Sequence, residues 1–207
     1  GPEVAEMSLS DILAAGACYD TGRRAIWYKQ KGMNRMFRYE VPATGPPHTG
    51  TWARWGADFQ TGVAVSLCHL PEHDCILVGT GGAYSPGSEG WLVYDCKAST
   101  WHQPPFNGTV PAGLRPGECQ PRWVPALHAA CVWDNAAATT QILSLKPGGD
   151  PRTDAWTLGA LPVHASNAVV PSAKSANGTF GRFAYSPRLG GFLVLNSNRG
   201  ATYFYKL

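Results

Sequence analysis

Three arginine–aromatic pairs, Arg54-Trp55, Arg122-Trp123 and Arg182-Phe183, recur along the chain, each ahead of a run of strand-forming residues. A guanidinium beside an aromatic face offers fixed hydrogen-bond donors and a stacking platform. That chemistry suits a sugar ring, a cation or a protein side chain. His128 lies close behind Trp123 and could add a polar group. The candidate ligand-binding set is therefore Arg54, Trp55, Arg122, Trp123, His128 and Arg182, with Arg182 the foremost. Against this stands an ordinary structural use: arginines that bond loop carbonyls or stack on neighbouring rings, and a histidine satisfied in the core.

Other reactive side chains give weaker patterns. His69 and His73 have the i, i+4 spacing of a helical metal pair, but Pro71 between them implies a hairpin, so no metal site is expected. Glycoside hydrolysis needs two carboxylates across a pocket. Asp58, Glu89 and Glu118 are available, yet no spacing singles out a pair. An enzyme reading, a polysaccharide glycosidase or lyase, would use Asp58, Glu118, His128 and Arg182. No Gly-x-Ser-x-Gly elbow and no phosphate-binding glycine loop occurs, and no cofactor is expected. Six cysteines, an even number, permit disulfides in an exported protein; buried free thiols are the alternative. Cys-x-x-Cys is absent, which argues against a structural zinc site. Asn107 and Asn177 each open an Asn-Gly-Thr glycosylation pattern, although Asn-Gly is also a favoured turn.

The elements that must position these residues are short strands. Turn signals at Asp20, Pro71, Asp134 and Pro187 recur at steps of 51, 63 and 53 residues, and each precedes an apolar run such as Ile76-Leu77-Val78 or Phe192-Leu193-Val194-Leu195. Downstream strands repeat as well, in Phe37-Arg38-Tyr39-Glu40, Leu92-Val93-Tyr94-Asp95 and Tyr203-Phe204-Tyr205-Lys206. Closing tryptophans follow at Trp52, Trp101 and Trp156. The third copy is degenerate, with Gln141 to Leu145 as its one clear later strand. Segments 42–50, 104–122, 146–153 and 162–177 are rich in turn formers and read as linkers.

The unit is clearest in Cys75 to Trp101, where a strand runs into Gly81-Gly82 and a second strand ends in Tyr94-Asp95 before Trp101. It resembles one blade of a kelch-type β-propeller. Residues 177–183 and 190–197 resemble the last blade of bacterial kelch-like and galactose-oxidase-like propeller proteins of unknown function. The resemblance implies an all-β propeller of about four four-stranded blades. It implies interblade packing for Trp52, Trp101 and Trp156, and inner strands that start beside a central channel. The sialidase Ser-x-Asp-x-Gly-x-Thr-Trp box is absent, and the copper-radical Tyr and His constellation is not matched.

The blades are expected over 10–56, 57–105, 120–160 and 177–207 of one domain, 4–207. Residues 1–3 read as an expression-tag remnant. The last unit lacks a Trp-bearing outer strand, and Val4 to Leu9 is the candidate to complete it. The alternative is the carboxy-terminal part of a six- or seven-bladed propeller. The 24 Gly and 17 Pro residues, 44% apolar content and 15% charged content in 207 residues suit many strands joined by turns. A net charge of +3 with scattered basic residues does not favour nucleic acid, and no apolar run is long enough for a membrane helix. The reading is a secreted or cell-surface, non-catalytic recognition module that binds a glycan or protein at the channel mouth. A structural propeller that assembles with a second copy is the further alternative.

Overall fold

The computed structural model describes residues 15–30, 35–56, 64–81, 90–111, 113–133, 141–169, 171, 179, 181–196 and 199–207. It is an all-β, four-bladed propeller arrangement of antiparallel sheets. Blade one contains β1 (Gly16–Asp20), β2 (Ala25–Lys29), β3 (Met36–Glu40) and β4 (Thr51–Trp55) in sequential order. Blade two repeats that order with β5 (Val65–Leu70), β6 (Cys75–Thr80), β7 (Gly90–Asp95) and β8 (Thr100–His102). Blade three comprises β10 (Arg122–Val124), β11 (Ala129–Trp133), β12 (Ile142–Lys146) and β13 (Trp156–Ala160), and β9 (Phe106–Asn107) pairs parallel to β13. Blade four has three described strands, β14 (Phe183–Ser186), β15 (Gly191–Leu195) and β16 (Thr202–Lys206).

Burial along each strand follows from its place in the stack. All six residues of β6 are buried, because blade two is covered on both faces. In β1 and β15 exposed positions interrupt the buried ones, as expected for the two end blades. Blades one and two enclose Trp27, Met36, Leu67, Ile76, Val78 and Tyr94. Blades two and three enclose Leu77, Val93, Val132, Leu143 and Trp156, and blades three and four enclose Cys131, Trp133, Phe183, Phe192 and Val194. Burying such side chains stabilises by roughly 1.5–3 kcal/mol each before chain entropy is counted, so the interfaces hold the blades together.

Two sequence expectations change here. The stretch 104–122 is more than a linker, since it contains β9 and a buried 3-10 turn, Pro116–Glu118, seated on blade two. Ser66 Oγ donates to the Pro116 carbonyl at 2.7 Å, and Gly117 N donates to Gly81 O at 3.1 Å. The approach is so close that a Cβ on Gly79 would lie 2.3 Å from Pro116 O. The third blade is also not degenerate, because both β12 and β13 form, with Trp156 opening β13. A polar turn over residues 147–155 hides that pairing from a search for apolar runs.

The cysteines are all free thiols, which settles the disulfide alternative. Burial pushes Cys68, Cys75 and Cys131 up to about 12 and leaves them protonated and inert. The segment Val4 to Leu9 lies outside the described residues. Among those described, no helix is long and apolar enough to cross a membrane.

Candidate functional site

The arginine–aromatic pairs do not share one location. Arg122 and Arg182 do adjoin, at the start of the neighbouring inner strands β10 and β14. Arg122 Nε donates to the Phe183 carbonyl at 2.6 Å, and Arg182 Nε donates to Leu195 O at 3.1 Å. Each guanidinium thus fixes backbone, and burial draws Arg122 below the usual arginine range. Trp123 leaves the opposite face of β10 and packs into the core between blades two and three, edge-on to His73 at 6.1 Å.

Arg54 and Trp55 end the outer strand β4, and the first strand of blade two, β5, is the next element, starting at Val65. Alternation along β4 sends Trp55 toward blade two, where it meets Trp27 at 6.3 Å and stacks on the Arg38 guanidinium at 3.6 Å. His128 lies outside the strands, directly after the 3-10 turn Pro125–Leu127. It occupies a left-handed turn position (φ 46) between β10 and β11, is 68% exposed, and bonds Glu72 Oε2 through Nδ1 at 2.8 Å. Of the enzyme candidates, Glu118 is buried next to Arg115, and Asp58 and Glu89 lie outside the described residues.

The end of the blades that carries the hairpin turns holds a denser cluster. Asp20, at the end of β1, is fully buried and accepts from Arg23 N (3.0 Å), Arg23 Nη1 (2.9 Å) and Trp27 Nε1 (3.2 Å). Burial opposes its charge, but those bonds and the facing His69 outweigh burial and hold the carboxyl below the usual range. The same Arg23 grips both carboxylate oxygens of Asp74 in blade two. His69 Nε2 lies 3.7 Å from Asp20 Oδ1, its side chain only 7% exposed, and burial lowers its pKa. Cys96 is buried beside them, its backbone N donating to Asp74 O at 3.1 Å.

A matching clamp joins blades two and three. Arg152 donates through Nη2 to His73 O at 2.7 Å and through Nε to Asp95. Asp95 also accepts from Lys97 N at 2.8 Å and Ala98 N at 2.7 Å, which closes its own turn. Sequence reading missed both clamps, because their members come from separate turns. The signal it could have used is the aspartate that recurs at blade turns, with an arginine three residues on at Asp20-Arg23.

Blade four presents a different surface. Leu193 and Phe204 are cross-strand neighbours on β15 and β16 and remain 39% and 44% exposed. They lie on the sheet face turned away from blade three. In blades one to three the face turned toward the next blade is buried. Beside β16 runs a cleft of about 250 Å³, lined by residues that include Asn167, Val169, Pro171, Thr202 and Phe204. Asn167 bonds the edge of β16 as a strand backbone would, accepting from Lys206 N at 2.9 Å and donating to Lys206 O at 2.8 Å. The antiparallel alternation directs the N–H and C=O of Thr202 and Phe204 toward the same edge, where none of the described residues forms a fourth strand.

No protein-family model and no curated protein matches this sequence. Among solved structures, dihydro-heme d1 dehydrogenase NirN in complex with DHE is similar to this chain. It is 16% identical, matches 93% of this chain and 36% of its own length, and has a TM-score of 0.45. This chain therefore spans about a third of that protein.

Proposed function

We propose that this chain is a non-catalytic recognition module that engages an extended segment of a protein partner on blade four. The observation that carries the reading is the edge of β16, which no strand among the described residues pairs, with the exposed Leu193–Phe204 pair on the adjoining sheet face. An extended segment adding to a sheet edge gains main-chain hydrogen bonds, and its alternate side chains find the apolar surface beside it. Asn167 already supplies that pairing at Lys206 and leaves Thr202 and Phe204 for the incoming strand. The kelch-like character of the blades is part of the same proposal and rests on the repeated Gly, Tyr-Asp and Trp positions.

A second reading, a glycan at the channel mouth, is favoured by one observation. Arg122 and Arg182 adjoin the starts of adjacent inner strands, which brings two guanidiniums to one end of blades three and four. A displayed library of linear peptides and a glycan array separate the two. Peptides that bind the full chain and weaken at least tenfold with Phe204→Asp support the blade-four reading. Glycan binding lost with Arg182→Ala but retained with Phe204→Asp overturns it in favour of the mouth. Self-association in sedimentation that Phe204→Asp abolishes makes the covering partner a second copy. No binder in either screen refutes both readings.

A further inference from the structure

The cluster at the hairpin-turn end of blades one and two also brings metal-ligating side chains together. One ring nitrogen of His69, one carboxylate oxygen of Asp74 and the Sγ of Cys96 all lie within 4.8 Å of one another. His69 closes β5, Asp74 occupies the following turn, and Cys96 comes directly after β7. No local spacing therefore announces the group. The paired strands and the Cys96 N to Asp74 O bond hold the three positions together.

His69 gives the independent observation. Its side chain is more than nine-tenths buried, and Nε2 makes no hydrogen bond, because Asp20 Oδ1 stands 3.7 Å away. A buried ring nitrogen without a partner costs free energy unless something else satisfies it. A cation seated among the three donors would do so, with Asp20 as an additional carboxylate nearby.

From this juxtaposition the structure assigns a binding site for a zinc-like divalent cation to His69, Asp74 and Cys96. One imidazole, one carboxylate and one thiolate make a borderline-soft donor set that suits zinc and disfavours magnesium or calcium. Three protein ligands leave a fourth tetrahedral position for water or for Asp20. Binding replaces the S–H bond of Cys96 with an S–metal bond and releases that proton to solvent. Arg23 competes for Asp74, since it grips both carboxylate oxygens, so the ion must draw one oxygen away. The site is separate from blade four and does not depend on the recognition reading.

Cobalt(II) titration of the chelator-treated full chain tests the assignment. One equivalent should produce a thiolate-to-cobalt charge-transfer band together with intense tetrahedral ligand-field bands, and zinc should displace the cobalt. Cys96→Ser should abolish the charge-transfer band. His69→Gln and Asp74→Asn should each weaken affinity at least tenfold. Cys131→Ser, in the core between blades three and four, should leave the titration unchanged. Arg23→Gln should tighten binding, because it removes both a competitor and a positive charge. Should Cys96→Ser fail to fold, the cadmium-113 resonance of the wild-type chain reports its ligands directly. A shift typical of one sulfur donor supports the site, and one typical of oxygen donors overturns it. Absence of any band, or a band that survives Cys96→Ser, also overturns it.

Discussion

Arg122 donates from β10 to the carbonyl of Phe183 on β14 at 2.6 Å, so a half-buried guanidinium ties the inner strands of blades three and four. Hydrogen bonds made by charged donors contribute about 1.5–3 kcal/mol, and removal leaves the carbonyl unsatisfied in the interior. Arg122→Ala should therefore destabilise the chain by about 2–3 kcal/mol in urea unfolding. Arg122→Lys should recover little, because a flexible point charge does not reproduce the planar fork. An unchanged midpoint for Arg122→Ala would show that the clamp is dispensable.

Acid should weaken the fold in two stages. Burial favours neutral His69, so its folded pKa lies below its unfolded value of about 6.5. The unfolded chain binds that proton first, and stability falls as pH drops below about 6.5 toward the folded pKa. Asp20 and Asp95 are held below the usual carboxylate range, chiefly against burial, by hydrogen bonds from Arg23, and from Ala98 and Arg152, respectively. Their stabilisation is complete above about 3.9 and is lost as pH falls further through the folded values. Urea midpoints measured from pH 8 to pH 3 without metal should show both segments. His69→Gln should flatten the upper one and leave the lower one in place. A single acid transition in both proteins would contradict the scheme.

The sequence made the blades legible and the site much less so. Turn residues and apolar runs recur with each hairpin, and β1–β2, β5–β6 and β14–β15 fall where those signals lie. The pairing of β9 with β13 escaped notice because two residues carry no periodicity. The strand that holds Arg54 and Trp55 was not legible for a different reason. Nothing in a dipeptide says whether it ends an outer strand or starts the next inner one. His69, Asp74 and Cys96 meet only because three strand ends converge, and Asp20 and Arg23 join them from another blade. Such tertiary coincidences leave no spacing to read.

Gly79→Ala tests the seat of the 3-10 turn on blade two. The new methyl would stand 2.3 Å from the Pro116 carbonyl and 2.5 Å from Ser66 Oγ. The methyl of alanine is fixed by the backbone, and a shift of Ser66 does not relieve the clash with Pro116 O, so the Pro116–Glu118 turn must lift. Overpacking of this kind typically costs about 1–3 kcal/mol. The variant should lose that much stability, and the amide of Gly117, bonded to Gly81 O, should exchange faster. Wild-type protection at Gly117 would mean that the seat is not tightly packed.

Asn167 provides the test of the blade-four edge that needs no partner. Its carboxamide makes two hydrogen bonds to Lys206, both in the direction a fourth strand would take. Each contributes roughly 0.5–1.5 kcal/mol, so Asn167→Ala should cost about 1–3 kcal/mol. The sharper readout is amide exchange along β16. In the wild type the Lys206 amide should be protected and the Phe204 amide, which points at the same edge, should exchange fast. Asn167→Ala should make Lys206 exchange like Phe204, while Tyr205, which points inward to β15, keeps its protection. A peptide bound by strand addition should then slow Phe204 selectively. If Phe204 is already as protected as Tyr205 in the free chain, the edge is occupied and the proposed docking strand has nowhere to pair.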